Sequence, residues 1–351
     1  MILVSLPHTG PYLGEKGRRL VFYLAMEEFV AANLGRLVGD RTPSRAPLEA
    51  FFLWQVPPTV IFGRNQVMEA EVNLPFCRER GIETYRRKSG GGCVYADWGN
   101  IMCSFVTDAT DVGFTFDRYL RRIALTLRRL GLNAERSGRN DVLVEGRKVS
   151  GNAFFRLPEC SIVHGTLLFE SDFTLMERAI TPSAAKITSK GVPSVRQRVA
   201  NLREELEAVG KGMEIDRFKR FLVQDLCSDE VMLTEADIEA IEAIEATYLD
   251  PAFLEGRNHR FTVEKKGKIE GAGEFSVALD VDDGKVRGVS VSGDYFPLES
   301  GDGRGFEAIL AERLNGVEFT EQAISDAFTG IDLKRYVMGL ETKEWIKLLT
   351  E

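Results

Sequence analysis

Residues 141–169 read DVLVEGRKVSGNAFFRLPECSIVHGTLLF. Val142–Val144 and Lys148–Phe155 are β-rich runs on either side of Glu145-Gly146-Arg147, a pattern that predicts a hairpin. Ile162–Phe169 adds a further strand. Upstream, residues 116–130 place Phe116, Tyr119, Leu120, Ile123, Leu127 and Leu130 on one helical stripe, with Gly131 where a C-terminal cap belongs. Residues 20–37 carry a second helical pattern through Phe22, Ala25, Phe29, Val30, Leu34 and Leu37. Between these helices lie short strand patterns at Ala50–Val56, Thr59–Phe62, Glu83–Lys88, Val94–Tyr95 and Ile101–Val106. Strands and helices mix without a regular βαβα alternation. The prediction is an α+β fold with a mixed or antiparallel sheet and flanking helices.

Charge suggests where one domain ends. Arg178–Arg203 holds six basic residues and no acidic one, whereas Ser228–Asp250 holds eight acidic residues and no basic one. Ile238, Ile241 and Ile244 repeat within the acidic block, which reads as a solvated linker helix. Ser276–Val281 and Val286–Val291 flank Asp282-Asp283-Gly284-Lys285, a second hairpin signal. We therefore expect a catalytic domain over 1–250, its linker helix near 228–250, and a small α+β domain over 258–351.

Several function classes are disfavoured by composition. A formal charge of −8 over 351 residues argues against general nucleic-acid binding. No apolar run nears the roughly eighteen residues of a membrane span, and the N-terminus lacks the pattern of a signal peptide. Five cysteines without a C-x-x-C pair suit reduced thiols, and three scattered histidines argue against structural zinc. The expected location is cytoplasmic.

Three segments carry chemistry. In Tyr85-Arg86-Arg87-Lys88-Ser89-Gly90-Gly91-Gly92-Cys93-Val94-Tyr95, three glycines after a strand can leave N–H groups bare for an anion, with Arg87 as a forked donor beside them. No Gly-Lys-Ser/Thr follows, so this is not a P-loop, and a bare glycine run also suits a flexible hairpin tip. Gly138-Arg139-Asn140-Asp141 precedes Gly146-Arg147-Lys148-Val149-Ser150-Gly151-Asn152. The hairpin brings Asp141 and Lys148 to adjacent strand ends, a point cation beside a hard oxygen ligand. Lys186–Leu202 is a basic, hydroxyl-bearing stretch suited to phosphate. His164 reads either as a core histidine or as a catalytic one.

Read in order, Leu24-Ala25-Met26-Glu27-Glu28, Val60-Ile61-Phe62-Gly63-Arg64-Asn65-Gln66, Arg86–Gly92, Gly138–Asp141, Arg147–Gly151, His164–Leu168 and Lys190–Leu202 resemble the lipoate-protein ligase A family. The resemblance covers roughly residues 20–203, and the C-terminal domain fits the longer members. It implies a fold like the cores of biotin protein ligases and class II aminoacyl-tRNA synthetases. It implies a two-step reaction in which lipoate and ATP give lipoyl-AMP, and an acceptor lysine then takes the acyl group. Arg87, Ser89, Gly90, Gly91, Gly92, Cys93, Val94, Tyr95, Asn140, Lys148, Ser150, Gly151, His164, Gly165 and Thr166 would bind ATP and lipoate, with Lys148 catalytic. Lys190, Gly191, Ser194, Val195 and Arg198 would belong to the adenylate loop, and Asp141 would meet magnesium through the phosphates. The cofactor expectation is ATP with Mg as a substrate complex and nothing permanently bound. The expected partners are lipoate or octanoate and lipoyl-domain or H-protein acceptors, with no nucleic acid and no membrane. Cys93 stands where the family commonly has Ala or Thr, and Val56-Pro57-Pro58 and Phe154-Phe155 are also unusual. Two alternatives stay open: an acyl transferase working through Cys93 or Cys160, and a non-catalytic acyl-adenylate binder.

Overall fold

The computed structural model describes residues 1–7, 18–66, 68–109, 111–138, 140–180, 198–255, 263–282, 284–298 and 303–350. Its elements begin with β1 (Ile2–Ser5), α1 (Leu20–Ala32), α2 (Leu34–Val38), β2 (Glu49–Trp54) and β3 (Thr59–Phe62). Then come α3 (Met68–Glu71), α4 (Leu74–Arg80), β4 (Glu83–Arg86), β5 (Val94–Ala96), β6 (Asn100–Thr107) and α5 (Val112–Arg129). The strands β7 (Ala134–Ser137), β8 (Asp141–Val144), β9 (Arg147–Arg156) and β10 (Ser161–Leu168) lead to α6 (Phe173–Ala179) and α7 (Leu202–Ala208). After α8 (Ile215–Leu226), β11 (Asp229–Met232), α9 (Glu235–Tyr248) and α10 (Pro251–Glu255), the C-terminal part holds β12 (Val263–Ile269), β13 (Gly273–Asp282), β14 (Lys285–Tyr295), α11 (Phe306–Leu314), α12 (Glu321–Ala327) and α13 (Thr342–Thr350).

By contacts the chain forms two units, Met1–Ile61 with Val72–Arg87 and Val94–Leu254, and Phe62–Glu71 with Lys88–Cys93 and Glu255–Glu351. The first is built on an eight-stranded sheet in the order β11-β1-β2-β6-β10-β9-β8-β7. β1 pairs in parallel with β11 and β2, and every other pairing is antiparallel. β2 is buried along its whole length because both faces of the sheet are covered. On one face α1 packs with Phe52, Trp54, Met102, Val106 and Ile162. On the other, the Tyr119 ring of α5 stacks on Phe105 at 5.5 Å.

α1 is buried on nearly every side, as its almost unbroken apolar sequence demands. Its outer cover is α9, and here the expected solvated linker helix is corrected. Ile238, Ile241 and Tyr248 are buried against α1, and residues 229–232 form β11 at the sheet edge. Only the acidic outer side of α9 resembles a linker. Other boundaries moved for local reasons. α5 begins before Phe116 because the Asp111 side chain caps it, accepting from Phe114 N at 2.9 Å. The helical pattern of 20–37 is broken at Asn33, whose Nδ2 donates to Phe29 O.

The second unit packs α11, α12 and α13 on the sheet β12-β13-β14, with Phe275, Tyr295, Phe306 and Trp345 as its aromatic centre. The predicted turn lies between β13 and β14, with Gly284 at a φ of 69°. Upstream segments belong to this unit too: Gly293 N donates to Asn65 O at 2.6 Å and Gly91 N to Tyr295 O at 3.1 Å.

Candidate active site

The hairpin β8–β9 turns through Glu145 and Gly146, both at positive φ, as a two-residue hairpin of this hand requires. Asp141 pairs with Gly151 and Leu143 with Lys148, so β9 carries one extra residue between them. This bulge reverses the alternation of side chains and brings Lys148 to the same face as Asp141 and Gly151. The Lys148 ammonium lies 2.8 Å from Asp141 Oδ1, and both side chains are about one-third exposed. Gly151 leaves the room: a Cβ there would meet Lys148 Nζ at 2.7 Å. Gly151 N donates to Thr166 Oγ1 at 3.1 Å, which places Thr166 across from it on β10.

Ser150 and Asn152 point to the opposite face, where Asn152 Nδ2 donates to Ser150 Oγ and to Asn140 O. Asn140 Nδ2 returns a bond to Asn152 O at 2.8 Å. Gly165 is required on that side because a Cβ would meet Asn152 Oδ1 at 1.8 Å. Asn140, Ser150 and Gly165 thus tie three strands together beneath the Lys148 face.

Two residues along β10 from Thr166, and on the same face, is His164. Its Nδ1 lies 2.8 Å from Glu27 Oε2, and both side chains are buried. Ser104, directly across on β6, donates to the other oxygen of Glu27 and accepts from Trp54 Nε1. Trp54 in turn stacks on Tyr23 at 4.8 Å. A buried carboxylate needs such donors. The sequence patterns do not predict the chain through Glu27, Ser104 and Trp54, although a carboxylate on the apolar side of α1 is a signal of it.

The remaining expected residues lie on other segments. In the first unit Arg87 is buried and its Nη1 donates to Ile61 O at 3.3 Å. Val94 pairs with Ile61, and Tyr95 is a core residue whose hydroxyl is pushed well up by burial and by Asp97. Ser89, Gly90, Gly91, Gly92 and Cys93 belong to the second unit. There a Cβ on Gly90 would meet Tyr295 O at 2.1 Å, one on Gly92 would meet Asp294 Oδ2 at 2.9 Å, and Ser89 O accepts from Arg64 N. Arg198 is an exposed residue just before Val199, which forms a parallel bridge with Lys148. Lys190, Gly191, Ser194 and Val195 lie outside the described residues.

The Cys160 thiol differs from what a transferase needs. Burial pushes Cys160 up, with Asp108 and Glu159 adding to it, and its Sγ donates to Ala31 O. Cys103 and Cys227 are each pushed up to about 12, chiefly by burial. Among the described residues no group of three or more His, Cys, Asp or Glu could hold a metal ion. No helix of the described residues is long and apolar enough to cross a membrane.

The family profile described as the lipoyl protein ligase A/B catalytic domain matches residues 21–227, and that of the bacterial lipoate protein ligase C-terminus matches residues 258–349. The chain belongs to the lipoyl protein ligase A/B family. Lipoate-protein ligase 1 of Staphylococcus aureus is 36% identical over 93% of this chain and 95% of its own. The fold matches that of LipL1 of P. falciparum, solved with lipoate, at a TM-score of 0.70 and 21% identity over 99% of this chain and 97% of that one. It also matches a lipoate-protein ligase A solved with ATP, at a TM-score of 0.57 and 24% identity over 72% and 97%. Both profiles and the Staphylococcus relative place the chain among the lipoate-protein ligases.

Proposed function

We propose that this enzyme activates lipoate as lipoyl-AMP and transfers the lipoyl group to a lysine of an acceptor protein, a lipoyl domain or an H protein. The observation that carries this reading is the Lys148 ammonium, turned by the bulge onto the face that also bears Thr166 and His164. In the first step a carboxylate oxygen attacks the α-phosphorus of ATP and pyrophosphate leaves. Two anions must meet, so a fixed cation between them lowers the barrier most. Lys148 is partly exposed and held by a single carboxylate, so it can exchange Asp141 for the incoming anions. In the second step the acceptor amine attacks the acyl carbon, a C–N bond forms, the proton passes to solvent, and AMP leaves.

The acyl chain would run from Lys148 along the face that bears Thr166 and His164. Each buried methylene contributes about 0.8 kcal/mol. Arg87, Val94, Tyr95 and Arg198 are assigned ligand contacts through the family resemblance alone, as is, in its own unit, the 89–93 loop. Asp141 fits a partner of Lys148 better than a metal ligand, since its Oδ1 faces the ammonium.

The test is the mass of a purified acceptor domain after incubation with lipoate and ATP. A gain of one lipoyl group that requires ATP, and that persists in Cys93→Ala and Cys160→Ala, is expected. Acylation without ATP, or an acyl thioester on either cysteine, would establish the transferase instead.

A further inference from the structure

We infer that Asn201 is a positioning residue for Lys148; the inference rests on the adenylating role proposed for that lysine. Asn201 is the N-cap residue of α7, and asparagine caps helices well. Yet its side chain makes no capping bond. It is turned away to the segment after β10, where Oδ1 accepts from Ser171 N at 3.0 Å and Nδ2 donates to Ser171 O at 3.1 Å. A side chain that satisfies both backbone groups of one residue acts as a short piece of sheet. A capping bond is left unmade for it.

What this clamp holds is the backbone beside the catalytic lysine. Ala200 N donates to Lys148 O at 2.9 Å, and Val199 bridges Lys148 in parallel. Lys148 pairs with Leu143 next to the bulge, and this bond gives its carbonyl a further neighbour that the hairpin alone does not. On its other side the clamp is anchored firmly. Phe169 N and Glu170 N both donate to Gly99 O, Arg203 N donates to Phe169 O, and Asp97 accepts from Gly99 N and Asp172 N. Gly99 has no space for a Cβ, which would lie 2.2 Å from Glu170 O. The path runs from the turn before β6, through Ser171 and Asn201, to the carbonyl of Lys148. Displacing that carbonyl moves the ammonium over Gly151, and small misplacements of a catalytic group carry large kinetic costs.

The discriminating variant is Asn201→Ser. Serine caps α7 but is too short to reach both Ser171 groups, so stability and positioning separate. In full-length protein, with lipoate-dependent pyrophosphate release as the readout, kcat should fall about tenfold while KM for lipoate stays within about threefold. The melting temperature should hold or rise. In the Lys148→Ala background the same substitution should cause no further loss. Unchanged kcat, or an equal fractional loss without Lys148, would overturn the assignment. Absence of lipoate-dependent pyrophosphate release in the unaltered protein would instead remove the functional reading on which it stands.

Discussion

Glycine makes room for different kinds of atom in the two regions first picked out by their motifs. At Gly151 the missing Cβ makes room for the end of a flexible side chain, the Lys148 ammonium at 2.7 Å. At Gly90 it makes room for backbone, the Tyr295 carbonyl at 2.1 Å, within a unit whose centre is aromatic. The first vacancy is filled by a charge that can move, the second by a strand carbonyl that cannot step aside. The atom facing the absent side chain decides what a substitution there would disturb.

The contrast can be broken most sharply at Lys148. Lys148→Ala should lower the rate of pyrophosphate release about a thousandfold, the order seen when one preorganised electrostatic contact is removed. Its melting temperature should stay close to that of the parent, because a one-third exposed side chain carries little stability. A rate within tenfold of the parent would detach the chemistry from this face.

Next come the two glycines as a pair. Gly90→Ala should destabilise by about 1–3 kcal/mol, since the clash is with backbone. Gly151→Ala should leave stability nearly intact and lower kcat by about tenfold, since only the Lys148 terminus need shift. Urea unfolding and initial rates on both variants separate the cases, and the reverse pattern would refute the distinction.

The smallest effect concerns the frame around α1. Burial alone would raise the Asp237 carboxyl, but bonds from the Thr234 backbone and hydroxyl and from Arg36 outweigh it and hold it below the usual range. A depressed carboxyl stabilises the fold above its unfolded pKa, and that contribution fades as pH falls through the folded value. Asp237→Asn should thus cost about 1 kcal/mol near pH 7, with the gap to the parent closing below about pH 4. A gap that persists in acid would place the effect in shape instead of charge.

Much of this was legible in local patterns. The hairpin around Glu145-Gly146-Arg147, the α5 stripe ending at Gly131 and the β13–β14 turn follow from neighbours along the chain. So did the meeting of Asp141 and Lys148 at adjacent strand ends. What stayed hidden depends on distant partners. β1 joins β11 from more than two hundred residues away, which no periodicity encodes. The acidic block looked solvated because its charges are outward, while its isoleucines supply the cover that α1 lacks. The bulge in β9 decides which way Lys148 points, and the chain RKVSG carries no mark of it. Asn201 read as part of a motif, and only the Ser171 contacts revealed its diversion from capping.

The most direct measurement is a single turnover of enzyme with ATP and lipoate in the absence of any acceptor, quantifying acyl-AMP and pyrophosphate on the protein. The account predicts nearly stoichiometric lipoyl-AMP with an equal amount of pyrophosphate, and neither product from Lys148→Ala. Pyrophosphate that appears only when acceptor is present, or a full adenylate burst from Lys148→Ala, would contradict it.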